Sequence, residues 1–208
     1  MKKKIIIIRY KNSGNIGSLK NSLFKNFSNL DSYSISVSNN PTKILKGDAL
    51  ILPGVGNASN IMKDLKKKKL DIAIKSFCNS KKPVLAICAG LQVMFEHSSE
   101  GDVRCLEILK GKVLKIKGNN FCKTPSYGWH PNSKKYSKDL KWLSCKEYFY
   151  FIHSYYIKTK FYIKLFYIYC NTKIPSLIMH KNIIGTQFHP ELSGESGDKI
   201  IKYFLNKI

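Results

Sequence analysis

Residues 83–92 read Pro83-Val84-Leu85-Ala86-Ile87-Cys88-Ala89-Gly90-Leu91-Gln92. The run after Pro83 is short, apolar and partly β-branched, which suits a buried strand, and residues 89–97 carry a helical pattern. Ala86 stands two residues before Cys88 and Gly90 two after it. Small residues at those places are what a tight strand-to-helix turn requires, because bulky ones would collide with it. Such an elbow holds its central residue in a strained conformation. It also sets the thiol at the start of a helix, where the dipole and free N–H groups stabilise a thiolate. A free thiol with a pKa near 8.5 is only about 3% ionised at neutral pH, so that activation matters. By itself the pattern fits a buried structural cysteine equally well.

Outward from this stretch, strands alternate with helices. Strands are expected over residues 2–9, 34–37, 48–52 and 83–87, with helices over 14–27 and 60–79. Leu65, Ile72 and Phe77 are assigned to the inner face of the last helix. That alternation predicts β-α-β crossovers and a central, mostly parallel sheet. The second half changes character. Residues 113–116, 148–152, 161–169, 176–179 and 183–188 read as consecutive strands with short turns, so antiparallel additions are expected, closed by a helix over 197–206. The 208 residues favour a single α/β domain spanning 1–208.

The formal charge of +23 invites a nucleic-acid partner. Of the 36 basic residues, however, only Arg9 and Arg104 are arginines, and the planar guanidinium fork is what base and phosphate recognition favours. The lysines are scattered among Asn and Ile, which reads as compositional bias, and no specific nucleic-acid partner is expected. The start, MKKKIIIIRY, has only four apolar residues before Arg9, too few for a signal peptide's apolar core of about 7–15. No stretch approaches the roughly 18 apolar residues of a membrane span. The expectation is a cytoplasmic protein whose six cysteines (78, 88, 105, 122, 145 and 170) stay reduced. Their spacing matches no zinc framework, so no metal is expected.

A second constellation, Gly185-Thr186-Gln187-Phe188-His189-Pro190-Glu191, changes the weight of Cys88. A β-type run ends in His189, Pro190 forces a turn, and Glu191 follows. Cysteine chemistry needs an imidazole to accept and return a proton, and a carboxylate to fix its tautomer. The H-x-E spacing also occurs in zinc deaminases, but their P-C-x-x-C partner is missing here.

With both constellations in view, the chain resembles the class I (triad) glutamine amidotransferases over nearly its whole length, most nearly the glutaminase subunits of imidazole glycerol phosphate synthase. Tyr10 and Gly14-Asn15-Ile16 resemble the family's Y-G-x-G-N-[LI] turn, and Pro53-Gly54-Val55-Gly56 its P-G-V-G oxyanion strand. Phe95-Glu96 with Ser98-Ser99-Glu100-Gly101 resembles F-E-x-S-x-E-G. Lys123-Thr124-Pro125 and Gly128-Trp129 resemble K-[VI]-P-x-x-G-W, and residues 149–156 resemble F-x-F-[VI]-H-S-Y-Y. Residues 185–194 resemble G-x-Q-F-H-P-E-x-S-G.

The resemblance implies a flavodoxin-like α/β core with added antiparallel strands. It implies that Cys88 attacks the L-glutamine carboxamide, that His189 protonates the leaving ammonia and that Glu191 orients His189. An oxyanion would be held by the N–H of Ala89 and one from Gly54, Val55 or Gly56. Gly56, Gln92, Ser154 and Tyr155 would line the glutamine pocket, with ordinary strand packing the other reading for Ser154 and Tyr155. His153 reads as structural. No cofactor is implied. The implied partner is a (β/α)8-barrel cyclase, in a heterodimer that channels ammonia to make imidazole glycerol phosphate in histidine biosynthesis.

Several positions depart from that pattern: Arg9 for Asp, a longer Lys11-Asn12-Ser13 link, Ala86 and Ala89 for Gly and Leu, Ser126 and His130 for His and Asn, and Leu192 for a Lys that meets the cyclase. These leave the chemistry in place and the acceptor open. Close relatives feed ammonia to enzymes that aminate sugars for surface polysaccharide. A catalytically idle regulatory subunit is the third reading, and the complete triad speaks against it.

Overall fold

In a computed structural model, the structure describes all residues except 1, 12, 15, 120–121, 135–139 and 145–146. Asn15 of the Gly-Asn turn and Cys145 therefore lie outside the described residues. The first half alternates strands with helices: β1 (Lys3–Ile8), α1 (Ile16–Asn26), β2 (Tyr33–Ser38), α2 (Pro41–Leu45), β3 (Ala49–Leu52), α3 (Ala58–Lys67), α4 (Leu70–Asn79), β4 (Val84–Ile87) and α5 (Ala89–Gln92). The second half is mostly strands: β5 (His97–Ser98), β6 (Val103–Arg104), β7 (Lys112–Lys115), β8 (Ser126–Lys134), β9 (Glu147–His153), β10 (Tyr155–Lys158), β11 (Ile163–Tyr169), β12 (Thr172–His180) and β13 (Ile183–Thr186). A 3-10 turn (Pro190–Leu192) and α6 (Gly194–Leu205) complete it.

Nine strands form one sheet in the order β2-β1-β3-β4-β13-β12-β11-β8-β9. The five from β2 to β13 are parallel, and the pairs from β13 to β9 are antiparallel. The mixed α/β architecture is therefore the expected one. A smaller sheet, β10-β7-β5-β6, packs beside it. Both faces of the large sheet are covered, which explains the unbroken apolar strands: Ile6 and Ile8 of β1 enter one core, Ile5 and Ile7 the other. Val84 and Ala86 of β4 likewise oppose Leu85 and Ile87.

Four expectations need correction. The helix over 60–79 is two helices. Leu65 closes the buried stripe of α3 and Leu70 opens that of α4, a spacing of five that one continuous helix cannot put on one face. Lys69, at φ 56°, resets the phase, and Ile72 points outward, 65% exposed. The helix after Cys88 is a single turn. Beyond it, the carbonyls of Val93, Met94 and Phe95 accept from the N–H groups of Leu106, Glu107, Ile108 and Leu109, so tertiary bonds replace helical ones. Strand β8 was not expected, because Gly128 and Pro131 mask it; its pairing with β9 over Ser126–Asn132 supplies the order. Finally, Cys122 and Cys170 form a disulfide, with Cα atoms 5.7 Å apart, a separation ordinary for such a bond. Cys78, Cys88 and Cys105 are free thiols.

No helix among the described residues is long and apolar enough to cross a membrane.

Candidate active site

Adjacent parallel strands deliver the chemistry. In the order β1-β3-β4-β13, the carboxyl ends lead into Tyr10, Pro53–Gly56, Cys88 and Gln187–His189 respectively. Between β1 and β3 the outgoing connections run to opposite sides, to β2 and to β4, and open α/β sheets bind ligands outside the carboxyl ends at such a switch point.

The elbow is present. Cys88 has φ 46° and ψ −111°, a conformation that costs a non-glycine residue of the order of 1–3 kcal/mol and survives only when its surroundings enforce it. They do so through the backbone. Cys88 N donates to Thr186 O at 2.6 Å, and Gln92 N donates to Cys88 O at 2.9 Å. A Cβ added to Gly54 would sit 1.6 Å from Ile87 O and 2.8 Å from Ala89 N, and one added to Gly90 would sit 2.4 Å from Leu52 O. The Gly54 segment that follows β3 and the elbow are thus packed main chain against main chain, and only glycine allows that approach. Tyr10 Oη donates to Pro53 O and ties down the start of the same segment. Burial, then the charge of nearby Cys88, push the Tyr10 hydroxyl well above the usual tyrosine range, so it stays a donor. Because α5 is one turn long, its dipole contributes less than a full helix would.

His189 and Glu191 meet as expected: Nδ1 lies 2.9 Å from Oε1, with the side chains 3% and 10% exposed. His189 N donates to Tyr150 O at 3.0 Å. Ser193 Oγ donates to His189 O at 2.6 Å and accepts from Tyr150 N at 3.0 Å. The ring is therefore locked between β9 and the turn that follows Pro190. Burial opposes the imidazolium, but the negative charges of Cys88 and Glu191 outweigh it and push the His189 pKa up to about 10. Nε2 makes no well-formed hydrogen bond, and Cys88 raises the ring through its charge and a looser polar contact. Such contacts commonly tighten only when substrate binds.

Among the described residues, the buried side-chain N and O atoms without a hydrogen-bond partner are Thr186 Oγ1, His189 Nε2 and Glu191 Oε2. All three fall within residues 186–191. Orphaned buried polar atoms are rare and costly, and here all three belong to the segment that carries the imidazole.

Of the remaining expected residues, Gln92 and Tyr155 are joined to each other. Ile152 O lies 4.0 Å from Cys88 Sγ, which brings the end of β9, two residues before Ser154, to the thiol. Tyr155 O accepts from Gln92 Nε2 at 2.7 Å and lies 2.8 Å from His153 Nδ1. His153 is buried, with Nε2 2.7 Å from Tyr167 Oη. Glu96 and Glu100 bond to the backbone N–H groups of Gly111 and Ala58, so those motif residues brace loops. Gln187 was not singled out, yet its Nε2 donates to Cys88 Sγ at 3.6 Å. Its place two residues before His189 was the available signal. Among the described residues no cluster of metal-ligand side chains occurs. A cavity of about 590 Å³ lies at the opposite strand ends, between Lys81, Pro83, Lys181 and Asn182, away from this chemistry.

Residues 14–208 match the family model for glutamine amidotransferase class-I. The chain belongs to that family. As a class-I glutamine amidotransferase it is a glutamine-hydrolysing enzyme. It is 41% identical over 209 residues to the imidazole glycerol phosphate synthase subunit HisH of Lactococcus lactis subsp. lactis, covering 99% of this chain and 100% of that one. It is 35% identical over 206 residues to subunit HisH 2 of the same synthase from Vibrio vulnificus, covering 98% and 94%. A chain of the PurLQS structure from Thermotoga maritima superposes on this amidotransferase with a TM-score of 0.71 at 17% identity over 99% of each, which speaks for the fold alone.

Proposed function

We propose that this chain is the glutaminase subunit of an imidazole glycerol phosphate synthase, with Cys88, His189 and Glu191 as its catalytic triad. The observation that carries the triad is the buried, unpartnered Nε2 of His189, on a ring fixed by Glu191 and raised by the Cys88 charge. A buried imidazole held in one tautomer beside a thiol is placed to take that thiol's proton and return it. Cys88 attacks the side-chain carbonyl carbon of glutamine. The N–H of Ala89 and one from the Gly54-Val55-Gly56 segment receive the oxyanion. His189 gives its Nε2 proton to the departing ammonia, leaving a glutamyl thioester. It then takes a proton from the water that hydrolyses the thioester to glutamate. Gly56, Gln92, Ser154 and Tyr155 form the wall of the glutamine pocket.

An exposed apolar border supports a partner on this face. Tyr127, Trp129, Tyr148, Ile152 and Leu192 are all exposed. Tyr127 and Trp129 pack edge-on against Tyr150 at 5.9 and 6.0 Å between centroids, and Tyr150 O holds the backbone of His189. Aromatic groups beside a catalytic cleft suit a protein interface. A barrel cyclase seated there would receive ammonia without loss to solvent.

The test mixes the chain with a barrel cyclase and its nucleotide substrate, and measures glutamine-dependent formation of imidazole glycerol phosphate. Product with wild type and none with Cys88→Ala is expected. Product only with a nucleotide-sugar enzyme would transfer the subunit to sugar amidation, and hydrolysis surviving in Cys88→Ala would remove the triad.

A further inference from the structure

Beside the nucleophile lies a chain of two buried amides. Gln92 is 4% exposed and Gln187 fully buried, so water does not compete for either. A carboxamide donates at one end and accepts at the other, and its orientation follows from its partners. Here one partner is fixed: Tyr155 O, a main-chain carbonyl, lies 2.7 Å from Gln92 Nε2 and can only accept. That sets which end of Gln92 is the donor. The same Nε2 reaches Gln187 Oε1 at 3.1 Å, so Gln187 must turn its own Nε2 away, and that atom lies 3.6 Å from Cys88 Sγ. The Gln187 backbone is pinned by Gln187 N donating to Ser176 O at 2.8 Å.

We propose that Gln187 is a positioning residue for the nucleophile, donating to Cys88 Sγ from a direction that Gln92 and the Tyr155 carbonyl enforce. The inference rests on the reading of Cys88 as nucleophile and adds a role to it. A neutral donor stabilises negative charge on sulfur with a smaller loss of nucleophilicity than a second cation would bring. It also occupies one side of the sulfur, leaving the remaining lone pairs for His189 and the glutamine carbonyl. Because the chain of bonds starts at Tyr155, movement of that strand edge would reach the sulfur through two amides.

The test uses the full chain, alone and with its cyclase. Alkylation of Cys88 by iodoacetamide is followed by mass spectrometry of the Cys88 peptide across pH 5–9. In Gln187→Leu, alkylation near neutral pH is expected to slow about 10-fold and to converge with wild type at high pH, in keeping with a lost hydrogen bond to a charged group. The acid limb of kcat/KM should move up in parallel, with kcat falling about 10-fold and KM within about twofold. Gln92→Leu, which leaves Gln187 in place but unoriented, should give a smaller shift of the same sign, and the double variant should not exceed Gln187→Leu alone. If Gln187→Leu does not fold, Gln92→Leu carries the test. Superimposed alkylation profiles for wild type and the folded variants would overturn the proposal. Failure of the triad reading would show separately, as hydrolysis by Cys88→Ala.

Discussion

The parallel and antiparallel halves of the large sheet contribute to the site in opposite ways. On the parallel side, precision comes from main chain: the elbow at Cys88, the Gly54 and Gly90 contacts and the Thr186 carbonyl leave no side chain to adjust. On the antiparallel side it comes from side chains. Tyr167 Oη lies 2.7 Å from His153 Nε2 and 3.0 Å from Ser126 Oγ, while Ser176 donates to Asn132 across the same sheet. Main-chain packing cannot yield, so damage there should be all-or-none. Hydrogen-bonded side chains titrate and rearrange, so damage there should be graded and dependent on pH.

The proposed triad draws on both modes, and its carboxylate should show the largest effect. Glu191→Gln keeps the turn but removes the charge that fixes and supports the imidazolium, and kcat for glutamine hydrolysis should fall roughly 10³-fold or more, measured by glutamate release. A loss under tenfold would mean that the tautomer is set elsewhere. Next comes Gly54→Ala, whose Cβ would overlap Ile87 O at 1.6 Å. A loss of about 3 kcal/mol or more in urea unfolding is expected, and wild-type stability would show that the strand can retreat from the elbow.

Acid sensitivity should come from the antiparallel side. Burial holds the His153 pKa down at about 4, against 6.5 for a free histidine. Between those values the unfolded chain takes up a proton that the folded chain refuses. Stability from this group is therefore full above pH 6.5 and declines as pH falls towards 4, by up to about 3 kcal/mol. His153→Gln should flatten that part of the urea-midpoint profile, and an unchanged slope would assign it to other groups. The smallest effect is expected at the border. Trp129→Ala should weaken cyclase binding about tenfold by titration calorimetry while leaving the free chain's fold intact. Unchanged affinity would place the interface elsewhere.

Much of this was legible because two kinds of signal are local. The isoleucines of β1 and residues 84–87 announce strands buried on both faces, and an elbow needs only small neighbours and a nucleophile. His189-Pro190-Glu191 declares a ring and its carboxylate within one short turn. Other features have no local signature. Nothing in residues 126–134 says strand until β9 lies alongside. The helix after Cys88 does not continue because loop residues 106–109 capture the carbonyls of residues 93–95 just beyond it. Cys122 and Cys170 are far apart in the chain, and only their meeting across the fold makes them a pair.

The sequence by itself determined the alternation of strands and helices in the first half, which residues are the candidates for nucleophile and proton partner, and the glycines that let main chains touch. Those follow from propensity, hydrophobic period and side-chain chemistry, which act over a few residues. Tertiary structure alone decided which way Gln187 points, that His153 stays neutral and that Trp129 stays exposed. Each depends on which groups from distant segments lie within a few ångströms, and on how much water the fold leaves there.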